Sequence, residues 1–228
     1  MSGSGSRVER PDYVKRSAEK GVCHCCHARL GTGARRGVHY RDERACCERC
    51  RASAVTRITE GRPILQRVAR DLKDLAGLDF EGGQWIRLEL RSQTQLVEAA
   101  AQRYARRPRG SASRIRRDGS STYVIRALYG LPRLAFADLC AHELGHVYMF
   151  RRDFPKLDPM VEEGLCRLCQ YVYLMADGST AALARVERMW ASSDPVYGMG
   201  FRAAHRALRG RRLGILIEEV QRLGRLPD

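Results

Sequence analysis

Two histidines four residues apart constrain this chain more than any other feature. His142-Glu143-Leu144-Gly145-His146 lies in a segment whose apolar positions, Phe136, Cys140, Leu144 and Val147, recur at helical spacing. Residues four apart share one face of a helix, so both imidazoles can reach a single ion. Glu143 sits one step round the axis and borders the same site without being a ligand. This is the pattern of a zinc centre. The ion lowers the pKa of a water to about 7, and Glu143 can take the proton and pass it to a leaving amine. A chain built this way must fold so that a third donor meets that helix face.

A downstream H-x-x-G-x-x-H extension, which would supply a third histidine, does not follow the motif. Instead, Val161-Glu162-Glu163-Gly164 opens the next helical stretch, marked by Val161, Leu165, Leu168, Val172 and Met175. The turn between them holds Pro155 and Pro159, so the second helix can fold back on the first. Glu162 and Glu163 both qualify as the third ligand, about 100° apart around the axis. Glu163 is favoured because it lies off the apolar stripe beside Gly164, where the backbone can come close. Glu162 is the alternative, or else a partner to a ligating imidazole. Negative charge developing on a substrate carbonyl needs a donor besides the ion. The segment Asp194-Pro195-Val196-Tyr197-Gly198-Met199-Gly200-Phe201-Arg202 offers Tyr197 and Arg202, with Tyr171 and Tyr173 as weaker candidates.

A second metal site is written in cysteine. Cys23-x-x-Cys26, twenty residues, then Cys47-x-x-Cys50 is the spacing of two knuckles that share one tetrahedral zinc. Four thiolates leave no open position, so this ion is expected to be structural. Cys25, Cys46, His24, His27 and His39 are spare donors that cannot all converge on the same ion. Cys140, Cys166 and Cys169 fall on apolar helical stripes and read as small buried hydrophobes.

The remaining chain gives organisation. Residues 1–20 are expected to be a flexible lead, 21–52 the zinc module and 53–228 a single larger domain. A helix is expected over 62–78, then a break at Gly82-Gly83, a strand over 85–90 and a short helix over 95–104. The basic, Ser- and Gly-rich stretch 106–121 reads as a mobile loop. Thr122 to Leu128 reads as an edge strand beside the HExxH helix, able to take an extended peptide by strand addition. Helices over 181–190 and 213–223 close the chain. The expected fold class is α+β: a mostly helical zincin-type, gluzincin-like domain with a short sheet, preceded by a small treble-clef-like module. No apolar run reaches the roughly 20 residues of a membrane span. The N-terminus carries no apolar signal region. A cytoplasmic, membrane-free protein is therefore expected. The net charge of +15 rests almost wholly on arginine, since only four of the 41 basic residues are lysine. That charge could draw nucleic acid, but with no reading motif beside it the expectation is weak.

In this frame the sequence resembles the plant LIM-domain peptidases that limit organ size, the DA-one and DA-one-related family. The matching stretches are Gly130-Leu131-Pro132-Arg133-Leu134, Ala141 to His146, Val161 to Cys166, Pro195-Val196-Tyr197-Gly198 and Gly200-Phe201-Arg202. The Cys23/Cys26 and Cys47/Cys50 knuckles sit where that family carries its last LIM-like zinc module. The resemblance implies a zinc peptidase acting on protein substrates, with one catalytic and one structural Zn2+ and a ubiquitin or ubiquitin-like regulator. It is the resemblance of a compact, bacterial-type relative, because the family's ubiquitin-interacting helices and complete leading LIM domain are not matched in these residues. The alternative readings are a DNA-associated zinc protease acting on crosslinked proteins and an inactive adaptor that keeps the fold.

Overall fold

Short strand pairs bring the two cysteine knuckles together. The computed structural model describes residues 21–31, 37–80, 85–99 and 108–227. β1 (Gly21–Val22) pairs antiparallel with β2 (Arg29–Leu30), and β3 (Val38–His39) with β4 (Ala45–Cys46). α1 (Glu48–Ala52) starts at Cys47, whose sulfur accepts the backbone N–H of Cys50 at 3.4 Å. β5 (Ala54–Val55) then leads into α2 (Ile58–Ala76). That helix begins four residues before the expected start. Glu60 accepts the backbone N–H groups of Thr56 and Arg57, which satisfies donors at the helix entry and leaves Pro63 inside the helix.

The main sheet has three strands: β6 (Ile86–Arg91), β7 (Gly110–Arg117) and β8 (Ser120–Leu128). α3 (Gln93–Ala99) follows β6. Their order is β6-β8-β7, with β6 parallel and β7 antiparallel to β8. Two expectations change here. The stretch read as a mobile loop is largely the strand β7, joined to β8 by Asp118-Gly119. Both turn residues have positive φ, 48° and 76°, as a two-residue hairpin requires. The expected edge strand Thr122 to Leu128 is instead the central strand, buried at Tyr123, Val124, Ile125, Ala127 and Leu128. β7 is the edge. Its Ser and Arg side chains, which suggested a loop, are what a solvent-facing edge strand carries.

β9 (Leu131–Pro132) pairs with β5 and stitches the chain leaving the cysteine module to the entry of α4 (Arg133–Arg151). α4 is the central helix. It is buried on nearly every face, against the sheet on one side and α2 and α5 (Pro159–Asp177) on the others. α6 (Thr180–Ala191), α7 (Tyr197–Leu208) and α8 (Leu213–Leu223) complete the helical layer. α8 covers the expected residues and buries Leu213, Leu216, Ile217 and Val220. The architecture is α+β, with helices predominant. No helix among the described residues is long and apolar enough to cross a membrane. The expected lead 1–20, the break at Gly82-Gly83 and the end of the helix expected over 95–104 lie outside the described residues.

Glycine sets two helix crossings. A Cβ on Gly145 of α4 would lie 3.0 Å from the Cys166 sulfur and 3.1 Å from its Cα, so α5 rests directly on the α4 backbone there. A Cβ on Gly164 of α5 would lie 2.5 Å from the carbonyl oxygen of Gly200 in α7. Gly164→Ala should therefore force the α5–α7 backbones apart and destabilise the protein by about 1–3 kcal/mol. The check is a lowered melting temperature relative to wild type in thermal unfolding followed by circular dichroism.

Candidate metal centres and catalytic cleft

The HExxH residues project from α4 toward the first turns of α5. Each imidazole is oriented through its Nδ1. His142 Nδ1 lies 3.2 Å from Gln170 Oε1, and the Gln170 amide donates to Asp138 Oδ1 at 2.8 Å. Asp138 in turn accepts from Arg185 of α6 at 2.8 Å. Because the Gln170 amide nitrogen is spent on Asp138, its oxygen faces His142 and holds the Nδ1–H tautomer. His146 Nδ1 lies 2.9 Å from Glu162 Oε1, which fixes the same tautomer. With Nδ1 engaged in this way, each ring turns its Nε2 toward Glu163. Its Oε2 is 3.0 Å from His142 Nε2 and 3.7 Å from His146 Nε2. That oxygen is buried and makes no hydrogen bond among the described residues.

A tetrahedral ion with bonds of about 2.0–2.2 Å separates its ligands by roughly 3.4 Å. The Nε2–Oε2 distances bracket that value, so this donor set suits zinc. Burial opposes ionisation of Glu163, but the two imidazoles outweigh it and hold the carboxyl well below the usual carboxylate range. Burial likewise opposes charge on His146. The acceptors around it, Cys166, Glu162 and Glu163, prevail and raise its pKa. Cys166 is a rival third donor that its apolar stripe did not announce. Its sulfur lies within 4.8 Å of one nitrogen of each histidine. Burial pushes that thiol up to about 12, so it is neutral where Glu163 is already an anion. Glu162 occupies the orienting position, on the far nitrogen of His146.

Glu143 is buried beside this group, and the backbone of β7 passes in front of it. A Cβ on Gly110 would stand 2.7 Å from Glu143 Oε1, so glycine keeps the space before that carboxylate open. The opening is a cleft of about 370 Å³ lined by His142, Glu143, Tyr197, Arg109, Arg167 and Arg188, among others. Tyr197 reaches it. Burial pushes the phenol up to about 12, with Glu163 adding to the effect, so it keeps its proton for donation. Arg202 does not reach it. It donates to the carbonyl oxygens of Trp190 at 3.1 Å and Ser192 at 2.7 Å and so caps the end of α6. Five residues along a helix turn roughly 140°, which carries Arg202 away from the face of Tyr197. Tyr171 packs on Phe201 and His205, and neither it nor Tyr173 lines the cleft.

Asp138, Gln170 and Arg185 did not enter the sequence reading of the site. Two of them carried a signal: Asp138 precedes His142 by four residues, and Gln170 follows Glu163 by seven, so each shares a helix face with a ligand candidate.

In the cysteine module, the sulfurs of Cys23, Cys26, Cys47 and Cys50 all lie within 4.8 Å of one another. Cys26 and Cys47 are 3.7 Å apart, close to the edge of a zinc–thiolate tetrahedron with bonds of about 2.3 Å. Cys23, Cys25 and Cys46 form a second close group that shares Cys23. Hydrogen bonds from Cys25, then from Cys46, hold Cys23 well below the usual thiol range. The same contact raises both neighbours, Cys46 to about 12. His24 packs against Tyr40 and Cys25, and His27 lies at the mouth of the cleft.

With this geometry in view, comparison with known proteins shows what the chain is similar to. A family model described as DA1-like, Protein DA1, matches residues 109–193, which span β7 to α6 and carry the HExxH motif and Glu163. Protein DA1 of Arabidopsis thaliana is 32% identical over 128 residues, covering 44% of this chain and 24% of that protein. Protein DA1-related 2 of the same plant is 24% identical over 280 aligned residues, covering 90% of this chain and 51% of that protein. LIM domain-containing protein HDR3 of Oryza sativa subsp. japonica is 33% identical over 70 residues, 30% of this chain and 14% of that protein. No solved structure matches. The chain is thus similar to the DA1 proteins, with the family-model match confined to residues 109–193. It spans between about a quarter and a half of the length of Protein DA1 and Protein DA1-related 2.

Two outcomes follow for the metals. Glu163→Gln should weaken zinc binding at the histidine site by at least about tenfold, whereas Cys166→Ser should leave it within a few-fold of wild type. Competition against a chromophoric chelator reads both, and the reverse ranking would make Cys166 the ligand. At the cysteine site, Cys26→Ser or Cys47→Ser should remove one equivalent of zinc. The double change Cys25→Ser, Cys46→Ser should keep it, as elemental analysis of the purified chain will report.

Proposed function

We propose that this chain is a zinc-dependent endopeptidase that cleaves protein substrates, with a zincin-type catalytic centre and a separate LIM-like structural zinc. The observation that carries the reading is the convergence of His142 Nε2, His146 Nε2 and the buried Glu163 Oε2, which makes no hydrogen bond among the described residues, beside the carboxylate of Glu143. His142, His146 and Glu163 would hold the catalytic zinc. Such an ion, when bound, supplies Lewis acidity that activates a water and polarises a peptide carbonyl.

The chain's own groups account for the remainder. Glu143, at the edge of the open space kept by Gly110, is the general base. It takes a proton from the attacking water as the water oxygen bonds to the carbonyl carbon. When the C–N bond breaks, the same proton goes to the departing amine. Tyr197 keeps its phenol proton at neutral pH and is the donor for negative charge developing on the carbonyl oxygen. The relay from Arg185 through Asp138 and Gln170 fixes the tautomer and orientation of His142, and Glu162 does the same for His146. β7, whose free edge runs beside Glu143, is the strand against which an extended substrate would pair, a role that β8 cannot fill from the middle of the sheet. Cys23, Cys26, Cys47 and Cys50 would hold the second zinc, in keeping with the LIM domain named in the rice relative. Protein substrates and control by a ubiquitin-like partner belong to the same proposal.

The test is cleavage of an unfolded protein, and of the chain itself, by zinc-loaded wild type and by Glu143→Gln. The variant should retain both zinc equivalents and lose about 10²–10⁴ of the rate. Full zinc loading with no cleavage of either target by wild type would overturn the reading.

A further inference from the structure

The catalytic cleft does not end at the helices. Ala135, Arg185 and Arg188 line it and also line a second, larger groove of about 800 Å³ between the cysteine module and α6. The two are therefore continuous, and the cysteine module forms one wall of the path. The floor of this groove is small and apolar, with Leu30, Leu134, Ala181 and Ala184 among its residues. Its rims are cationic. Arg29 and Arg49 stand on the module side and Arg188 on α6, all three exposed and none in an ion pair with a described residue. Arg109 and Arg167 continue the series into the cleft. Few carboxylates answer them. Asp138 is taken by Arg185 at 2.8 Å, Glu143 lines the cleft, and Glu48 is the acidic residue among the described residues lining the groove. The Arg167 Nε is buried without a hydrogen-bond partner among the described residues, although its guanidinium rests over the Tyr197 ring.

We propose that this groove is the outer part of the substrate site and that it takes an extended, acidic stretch of polypeptide, whose carboxylates lie along the arginine rims while its backbone leads into the catalytic cleft. The direction of the path rests on the metallopeptidase reading; the binding itself does not. Charge complementarity selects an anionic occupant. The lining selects peptide over nucleic acid. None of the described residues lining the groove is aromatic, so they offer no platform on which bases could stack. The narrow apolar floor suits side chains in an extended strand. A zinc held by Cys23, Cys26, Cys47 and Cys50 would then serve recognition as well as folding, because those cysteines belong to the wall that carries Arg29 and Arg49.

The experiment uses the full zinc-loaded chain carrying Glu143→Gln, so that peptides stay intact. The probes are a fluorescein-labelled unstructured peptide with several Glu residues and its twin with Gln at the same positions, followed by fluorescence anisotropy. The Glu peptide should bind at least about tenfold tighter at low salt, with the gap closing as ionic strength rises. Adding Arg49→Glu and Arg188→Glu should abolish the preference. Both side chains are exposed, and an unchanged circular dichroism spectrum checks that the variant is folded. Equal binding of the twins, or a preference unmoved by the double reversal, overturns the proposal. So does a single-stranded DNA oligonucleotide that displaces the Glu peptide at lower concentration, which would make the path a nucleic-acid site. Wild-type cleavage of the twins separates the two readings. A Glu preference in binding with neither peptide cut leaves the groove and removes the peptidase; both cut alike with no preference does the reverse.

Discussion

The close approach of α4 and α5 is the contact on which the rest depends. It is possible because residue 145 has no side chain: Cys166 of α5 fills the place where a Cβ would stand. At that separation the His142 and His146 Nε2 atoms meet the Glu163 carboxylate at 3.0 and 3.7 Å. A larger gap would leave a buried anion facing nothing, which is costly. α7 secures the arrangement from behind, with Gly164 and Gly200 bringing its backbone onto α5. A single packing decision thus gathers two imidazoles, a carboxylate and, through α7, the Tyr197 phenol around one point.

The orienting contacts extend this dependence outward. Arg185 lies on α6, Asp138 and His142 on α4, and Gln170 on α5, so the hydrogen-bond relay joins three helices to one imidazole. A shift of α6 would reach His142 through two side chains. Arg185 also lines both the cleft and the outer groove, so the residue that steadies the histidine sits at the junction of the two.

The cysteine module is held by specific contacts rather than by a loose tether. The Arg44 guanidinium lies between the Tyr40 and Tyr129 rings, 4.7 and 4.9 Å from their centroids, and donates to the Tyr129 carbonyl at 3.0 Å. Arg44 Nε is itself paired with Asp42 at 3.0 Å, so the buried charge has a counter-ion, while its Nη2 makes no hydrogen bond among the described residues. Arg109 donates to the His24 carbonyl from the cleft side. These contacts tie the cysteine module to the chain just before β7 and just after β8. The large positive charge of the chain acquires a local meaning there: arginines gather along a single path that ends at the HExxH helix.

Much of this was written in the sequence. Helical spacing put His142, Glu143 and His146 on one helix and ended α8 at its true residues, because those patterns are local and each helix buries one face. Cysteine spacing marked the four thiols for the same reason. β7 was not legible, since an edge strand keeps its polar side chains and resembles a loop until it is paired; only Asp118-Gly119 signalled the hairpin. The central position of β8 was equally invisible, because strand order depends on partners distant in sequence. Arg202 and Tyr197 looked equivalent along the chain, and only their angle around α7 separated them. The sequence alone determined the donors and the helices that carry them. Tertiary structure decided which donor atoms meet, which carboxylate faces the imidazoles and which merely orients one, and that the cysteine module borders the cleft. Those choices depend on how closely backbones pack, and that distance is set by residues far apart in the chain.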